Sequence, residues 1–444
     1  MTSQPYRWRW PALAALLLAE AMNLVDSTVM PVAGPAIRTD LAVSDATLQW
    51  LSAAYTLPFA VLLITGGRLG DIFGRRRVFV VGVLVFVACS AVCAWAPTGA
   101  VLLAARAVQG ASAALIIPQT FGLIRAMFAG AEVAKALGTI GPVMALSSVC
   151  GPVVGGVITD GLGWRPVFLI NVPLGLAVLA VAPLILEDRS PTRPRLDVGG
   201  TLVVSLGISL VVFPLVSGGP AWLFGLAVLV GLAVLVGFAF HQRGRADPLV
   251  EPSLFRGRAF AASLAGSLAF FAVMSGLLFV LVLFLQLTRG ESPSTTALTL
   301  LPWSVGLALG SWVAGAVLVP RYGAKVMRVG LGLTLMGLVG LALSLTVVPL
   351  FVTGLGLGVF TVPFFGNALS GVAQHETGSA SGLLNAVQQL GTTVGVALLG
   401  SVFFRSGTQA VLIVCIALIS VVLALTAAMK PSRRETGEVS RLFP

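Results

Sequence analysis

Three observations predict an all-α membrane protein. The chain has 444 residues, of which 57% are hydrophobic. Only 10% are charged, where a soluble protein carries about 25%. Apolar runs of the length that crosses a bilayer, about 20 residues, recur from end to end. The net charge of +11 raises the question of nucleic acid. The basic residues lie in short connections between apolar runs, as a membrane protein's cytoplasmic side requires, so membrane lipid is the expected partner and nucleic acid is not. Cys89, Cys93, Cys150 and Cys415 all fall inside apolar spans and read as small buried hydrophobes, with no metal or disulfide implied. The first apolar run holds acids and continues into a spanning helix, which is not the pattern of a cleaved signal peptide.

Taken in order, the runs predict fourteen spans: 11–31, 46–65, 78–95, 99–123, 133–159, 166–186, 198–216, 221–240, 259–287, 294–319, 326–346, 348–373, 380–404 and 407–428. The seventh and eighth are joined only by SGGP, a tight turn. Charge placement supports this count. With both termini cytoplasmic, the outside segments hold only Arg38, Arg165, Arg289 and Arg405 of the 27 basic residues. Arg106 lies inside a span, and every other basic residue falls on the inside, a bias strong enough to set orientation.

The two most charged connections, 187–197 and 241–258, flank the seventh and eighth spans. They divide the chain into a six-span bundle (1–188), an inserted pair with its linkers (189–258), a second six-span bundle (259–430) and a polar tail (431–444). The outer groups read as repeated halves related by an axis along the membrane normal.

The first span carries the chemistry. Glu20 and Asp26 are the two carboxylates placed within the hydrocarbon core, where an ionisable group is expensive and functional by default. On a helix, Asn23 is three residues from each and neighbours both. Glu20 and Asp26 point about 120° apart, so they can share Asn23 and one polar cavity without touching. The plainer alternative, acids satisfied by polar neighbours for packing, would more cheaply use Ser or Gln. Arg106 in the fourth span needs a carboxylate, backbone carbonyls or a wet cavity.

The connection after the second span reads GGRLGDIFGRRRV. Gly67 and Gly74 permit sharp turns and close approach, Asp71 can cap or pair at a helix start, and Arg75 and Arg76 hold the loop to the cytoplasmic face. This pattern, GxLxDxxGRR, resembles the signature loop of the major facilitator superfamily, in which the Asp and Arg latch the two halves outward-facing. The family often has Arg after the Asp; Ile72 stands there. The resemblance implies the major facilitator fold, two six-helix bundles with two extra helices.

Further segments resemble the fourteen-span drug:proton antiporter branch. Asp26, Thr28, Val32, Ala33 and Pro35 match its first-span pattern, with Pro31 and Gly34 in place of the family's Asn and Leu. LQWLSAAYTL, which contains Tyr55, is similar to its second-span entry. LAARAVQG is similar to the fourth-span motif whose Arg, here Arg106, is implicated in proton relay. Gly151, Pro152, Gly155 and Gly156 match the fifth-span motif GPxxGG that distinguishes antiporters from symporters. Such small residues also make a packing seam, and Pro permits a bend. The match continues through Trp164, Arg165, Phe168, Asn171 and Pro173, and into the second half at 284–306 and 375–403. The loop at 319–328 keeps Gly323 and basic residues but lacks the acid, so a second latch there is expected to be weaker.

Residues and resemblance together imply a proton-coupled exporter of a drug or secondary metabolite. No titratable acid or His falls within the later spans, so proton coupling is expected at Asp26 and Glu20 with Arg106. Asp26 is the first choice as proton carrier, and Glu20 is suited to a substrate amine. Replacing Asp26 by Asn is expected to abolish gradient-driven transport and spare folding. Substrate contacts are expected from Glu20, Asn23, Asp26 and Tyr55, and from Phe271, Gln286, Trp303, Phe364, Asn367, Asn385, Gln388 and Gln389. Aromatic and amide groups suit an amphipathic small molecule, and the two acids of the first span permit a cationic one. Uptake symport and a non-transporting sensor are the alternatives. An enzyme is not expected, because no nucleophile–base pair, metal-ligand spacing or phosphate loop is present, and no cofactor is implied. The abundance of Ala, Gly and Val suggests a GC-rich bacterial genome and the cytoplasmic membrane.

Overall fold

The computed structural model describes residues 6–129, 131–187, 197–217, 221–242, 252–255, 258–370, 372 and 377–429. The glycines and proline of the SGGP turn, most of the two charged connections, His375 and the tail lie outside these. Everything regular among the described residues is helical. Ten helices are long and apolar enough to cross a membrane, and two shorter apolar helices, Leu146–Leu162 and Val198–Pro214, accompany them. Two of the ten run over 51 and 46 residues, Pro293–Leu343 and Ala380–Leu425, and each is interrupted within, at Gly323 and Gly407.

The chain divides into two compact units. The first takes Met1–Ala239 and Val282–Leu298, the second Phe240–Leu281 and Thr299–Pro444. In the first unit, α1 (Arg9–Asp40) and α2 (Asp45–Phe73) are separated by a short turn, where the Ser44 hydroxyl caps α2 by accepting from the Thr47 N–H at 3.2 Å. Gly74, at φ 96°, lets the chain reverse between α2 and α3 (Arg75–Ala94). Thr98 caps α4 (Gly99–Met127), which packs against both α2 and α3.

The predicted fifth span is broken into α5 (Ala131–Gly138) and α6 (Ile140–Leu162). Pro142 has no N–H to return to the Gly138 carbonyl, so the ladder is interrupted there. The sixth is likewise two pieces, α7 (Arg165–Leu169) and α8 (Asn171–Val181), because Pro173 withholds a donor from Leu169. α6 lies along α1, and α8 touches α1 and α3. The next helix, α9 (Val198–Ser217), lies against α2, with the Thr65 and Thr201 hydroxyls bonded at 2.9 Å. Asp197, a third buried acid, caps α9 by accepting from the Gly200 N–H. α10 (Ala221–Gln242) is an apolar helix with exposed Trp222 and Leu229.

α11 (Arg258–Leu283) begins in the second unit and ends in a π turn at Phe284–Thr288, which is counted with the first. α12 (Pro293–Val313) runs through a second π turn at Ala314–Leu318 into α13 (Val319–Tyr322). Gly323, at φ 57°, then turns the chain into α14 (Val326–Leu343), which packs on α15 (Val347–Leu369). α16 (Thr377–Leu425) is one helix by hydrogen bonding but is broken at Gly407, where φ is 77°. That break falls at the boundary expected between the last two spans.

Burial in the first unit is inverted relative to a soluble bundle. Arg106, Gln109, Ser90 and Asn171 are buried, whereas Leu84, Val92 and Val108 are exposed. This is the distribution of a bundle whose outside meets hydrocarbon and whose polar groups face inward.

Candidate functional site

Five helices of the first unit, α1, α2, α3, α4 and α8, converge on one buried polar cluster. α1 supplies Glu20, Asn23 and Asp26, each 5% exposed. α2 supplies Tyr55, and α4 supplies Arg106, which is 1% exposed. Arg106 donates from Nη1 to Asp26 Oδ2 at 2.5 Å and to Gln109 Oε1 at 2.8 Å. Gln109 follows Arg106 by three residues and so shares its helix face. From there its Nε2 reaches Asp26 Oδ1 at 3.1 Å and Ser90 Oγ at 2.7 Å. Asn171, the first residue of α8, donates to the same Asp26 oxygen at 2.8 Å and to Ser90 Oγ at 3.2 Å. Asn171 follows directly on the junction of α7 and α8 at Ile170.

The guanidinium also lies over the Tyr55 ring, 4.4 Å from its centroid, and within 5.8 Å of the Phe168 ring. The Tyr55 hydroxyl in turn donates to Asn23 Oδ1. Asp26 is therefore a carboxylate with both oxygens occupied, paired with a cation that is itself held by an amide and two rings. Glu20 differs. Its Oε1 is buried with no hydrogen-bond partner among the described residues, and the neighbouring Thr120 hydroxyl of α4 donates to the Ile116 carbonyl at 3.4 Å.

The predicted site residues thus separate into groups. Glu20, Asn23, Asp26, Tyr55 and Arg106 come together. Gln286 donates to the Val32 carbonyl at 3.1 Å, within the first unit. Phe271 and Phe364 belong to an aromatic row of the second unit with Phe270, Phe360 and Phe365. Trp303 is buried where its carbonyl backs onto Gly354 of α15. Asn367 donates to the Met429 carbonyl at 3.1 Å, and Asn385 bonds back to Ser381 of its own helix. Gln388 and Gln389 are half-buried on α16. Sequence reasoning missed Gln109, Ser90 and Thr120, and gave Asn171 no role. The signal available for Gln109 was its place one turn after Arg106.

Two further predicted features have definite geometry. The predicted loop is helical except at Gly74: Arg75, the first residue of α3, pairs with Asp71 in the last turn of α2 at 2.9 Å, and Arg76 pairs with Glu187 at 3.2 Å. Gly67 lies at the edge of the α2–α4 contact, near Pro118. In α6, a Cβ on Gly151 would overlap Thr28, and one on Gly155 would crowd Val29, both of α1. Gly156 faces Pro293 and Ala297, at the start of α12. The motif around Pro152 is therefore a close seam along α1.

A family model described as Major Facilitator Superfamily matches residues 16–396. A probable actinorhodin transporter of Streptomyces coelicolor is 47% identical over 431 residues, covering 91% of this chain and 74% of that protein. The puromycin resistance protein pur8 of Streptomyces alboniger is 35% identical, covering 89% and 82%. The tetracenomycin C resistance and export protein of Streptomyces glaucescens is 34% identical, covering 88% and 75%. Among solved structures, the human organic anion transporter MFSD10 aligns with a TM-score of 0.63 at 15% identity, covering 94% of this chain and 99% of that one. At that identity the likeness speaks for the fold. With the apolar helices, these matches make the protein a bacterial multi-pass membrane transporter, and the chain belongs to the major facilitator superfamily.

Proposed function

We propose that this protein is a proton-coupled antiporter that exports an antibiotic or secondary metabolite across the cytoplasmic membrane by alternating access. The observation that carries the reading is the buried Asp26–Arg106 pair with Glu20 on the same helix. Ionisable groups at membrane depth mark substrate or ion pathways, and the relatives are named for antibiotic transport and resistance. The α1–α6 glycine seam supports antiport over symport, by the family motif it matches. The cargo proposed is an amphipathic small molecule met by Glu20, Asn23 and Tyr55.

The fourteen-span count is part of the proposal. The 51-residue stretch turns at Gly323 and the 46-residue stretch is broken at Gly407, so each reads as two crossings of a hydrocarbon core of roughly 30 Å. Counting both long stretches as two crossings, and adding the two shorter apolar helices, gives fourteen. The placement of basic residues then puts both termini in the cytoplasm.

Purified protein in proteoliposomes under an imposed pH gradient tests the reading, with actinorhodin and puromycin as probes. Antiport predicts accumulation against the direction of proton flow. Accumulation along with protons would make it a symporter, and no flux of either probe under a gradient would remove the exporter reading. A second expectation concerns the loop. The Asp71 and Arg75 side chains are 31% and 27% exposed, so Asp71→Asn should change stability by less than about 1 kcal/mol. As a latch, the pair should nevertheless matter to turnover, and exchange should slow several-fold. Unchanged turnover with a large stability loss would make it a fold element instead.

A further inference from the structure

The two carboxyl groups of α1 sit in unlike surroundings, and this divides the work between them. The geometry points to Glu20 as the group that takes up and releases the exchanged proton, with Asp26 as the standing counter-ion of Arg106. This rests on the antiport reading above. The sequence favours Asp26 for the role; the hydrogen bonds favour Glu20.

Asp26 has Oδ2 on Arg106 and Oδ1 on Gln109 and Asn171. Adding a proton would set an O–H among three donors and strip Arg106 of its counter-charge at a depth where lone cations are costly. Glu20 has no such commitments. Among the described residues no cation is bonded to it, its Oε1 is buried without a partner, and the hydroxyl beside it, Thr120, donates to the Ile116 carbonyl. A hydroxyl whose proton is on a backbone carbonyl still accepts, so Thr120 can receive the O–H of the acid form of Glu20. An unpaired carboxylate in hydrocarbon is far more expensive than its acid. Water or a cation reaching Oε1 supplies the partner that its carboxylate lacks.

The charged and titratable groups around it are few. Tyr55 of α2 feels both Glu20 and Arg106, the latter from α4, and Asp26 is on Glu20's own helix. α6 carries Cys150 and Asp160. Gly151 sits against Val25 and Thr28, which puts both at or beyond the level of Val25, and Asp160 is bonded to Ser294. Arg165 of α7 is held by Asp40 at 2.6 Å, at the far end of α1, and α8 has no titratable residue. In the exchange step, the proton on Glu20 passes to water on the cytoplasmic side and leaves a carboxylate. A proton from the outer side restores the acid. Asp26 and Arg106 remain paired and neutral throughout.

Infrared difference spectra of the purified protein in lipid nanodiscs, recorded as pH is raised, read this directly and need no cargo. Wild type should show a protonated-carboxyl C=O band that bleaches. Glu20→Gln should lack the band. Asp26→Asn, or the charge-neutral Asp26→Asn/Arg106→Gln pair if the single variant does not fold, should keep it. Should Glu20→Gln not fold, Glu20→Asp should retain the band with a displaced midpoint. A band that survives in Glu20→Gln, disappears with Asp26→Asn, or is missing from wild type overturns the proposal. Failure of wild type to drive either probe with a pH gradient, while the bands behave as stated, would instead overturn the antiport reading and leave Glu20 as the titrating group.

Discussion

Asp26→Asn is expected to lower stability by about 3–5 kcal/mol, because it breaks a buried ion pair by removing one partner. The pair lies in the first unit with both side chains 1% exposed. After the substitution, Arg106 keeps Gln109 and its aromatic neighbours but loses its only ionic partner among the described residues. Its Nε is already buried without a hydrogen bond, so little slack remains to absorb the change. Arg106→Gln should cost a similar amount, by leaving Asp26 charged with only amide donors. The double variant should be destabilised by much less than the sum, since the two losses are one interaction counted twice. Thermal unfolding of the three variants in detergent measures this. A single Asp26→Asn variant as stable as wild type would show that the pair contributes nothing to the fold, and would restore the expectation, drawn from sequence, that this change leaves folding intact.

Sequence reading stops at the pairing of these charges. Glu20, Asp26 and Arg106 were legible because each is a charge inside an apolar run, and the cost of placing it there is visible without coordinates. Their pairing was not. It depends on which faces of α1 and α4 meet, and on Gln109, Ser90 and Asn171, neutral residues that are unremarkable in a membrane helix. Breaks followed the same rule. Gly407 was legible as a boundary between two apolar runs, and its positive φ breaks the helix there. The interruptions near Thr139 and Ile170 were not, because apolar residues continue through them and hydropathy does not register a missing N–H. The aromatic row of Phe270, Phe271, Phe360, Phe364 and Phe365 was legible only as composition; that α11 and α15 bring it together is a matter of packing.

The contact between α2 and α4 is where substitution should do the most damage away from the charges. Gly110 lies so close to Tyr55 that a Cβ on it would overlap the Tyr55 carbonyl oxygen, and a Cβ on Gly66 would meet the Ala114 carbonyl in the same way. The obstacle is backbone on both sides, which cannot rotate away as a side chain can. Gly110→Val must therefore push α2 off α4 at the level of Tyr55. Overpacking of a well-packed interior usually costs about 1–3 kcal/mol, and the upper end applies when backbone has to move. Function should suffer more than stability. Tyr55 supplies the ring beneath Arg106 and the hydroxyl on Asn23, so displacing its main chain disturbs the cluster from below without altering any of its members. Gly161→Ala is the matched control. That glycine is exposed near the end of α6 with open space where a Cβ would go, so the change should be neutral or stabilise by about 0.5–1 kcal/mol. Pairing thermal unfolding with probe flux in proteoliposomes separates the outcomes. Gly110→Val should unfold earlier and lose at least tenfold in exchange, with Gly161→Ala unaffected in both. Wild-type flux through Gly110→Val would mean that the Tyr55 contact with Arg106 is not needed for coupling.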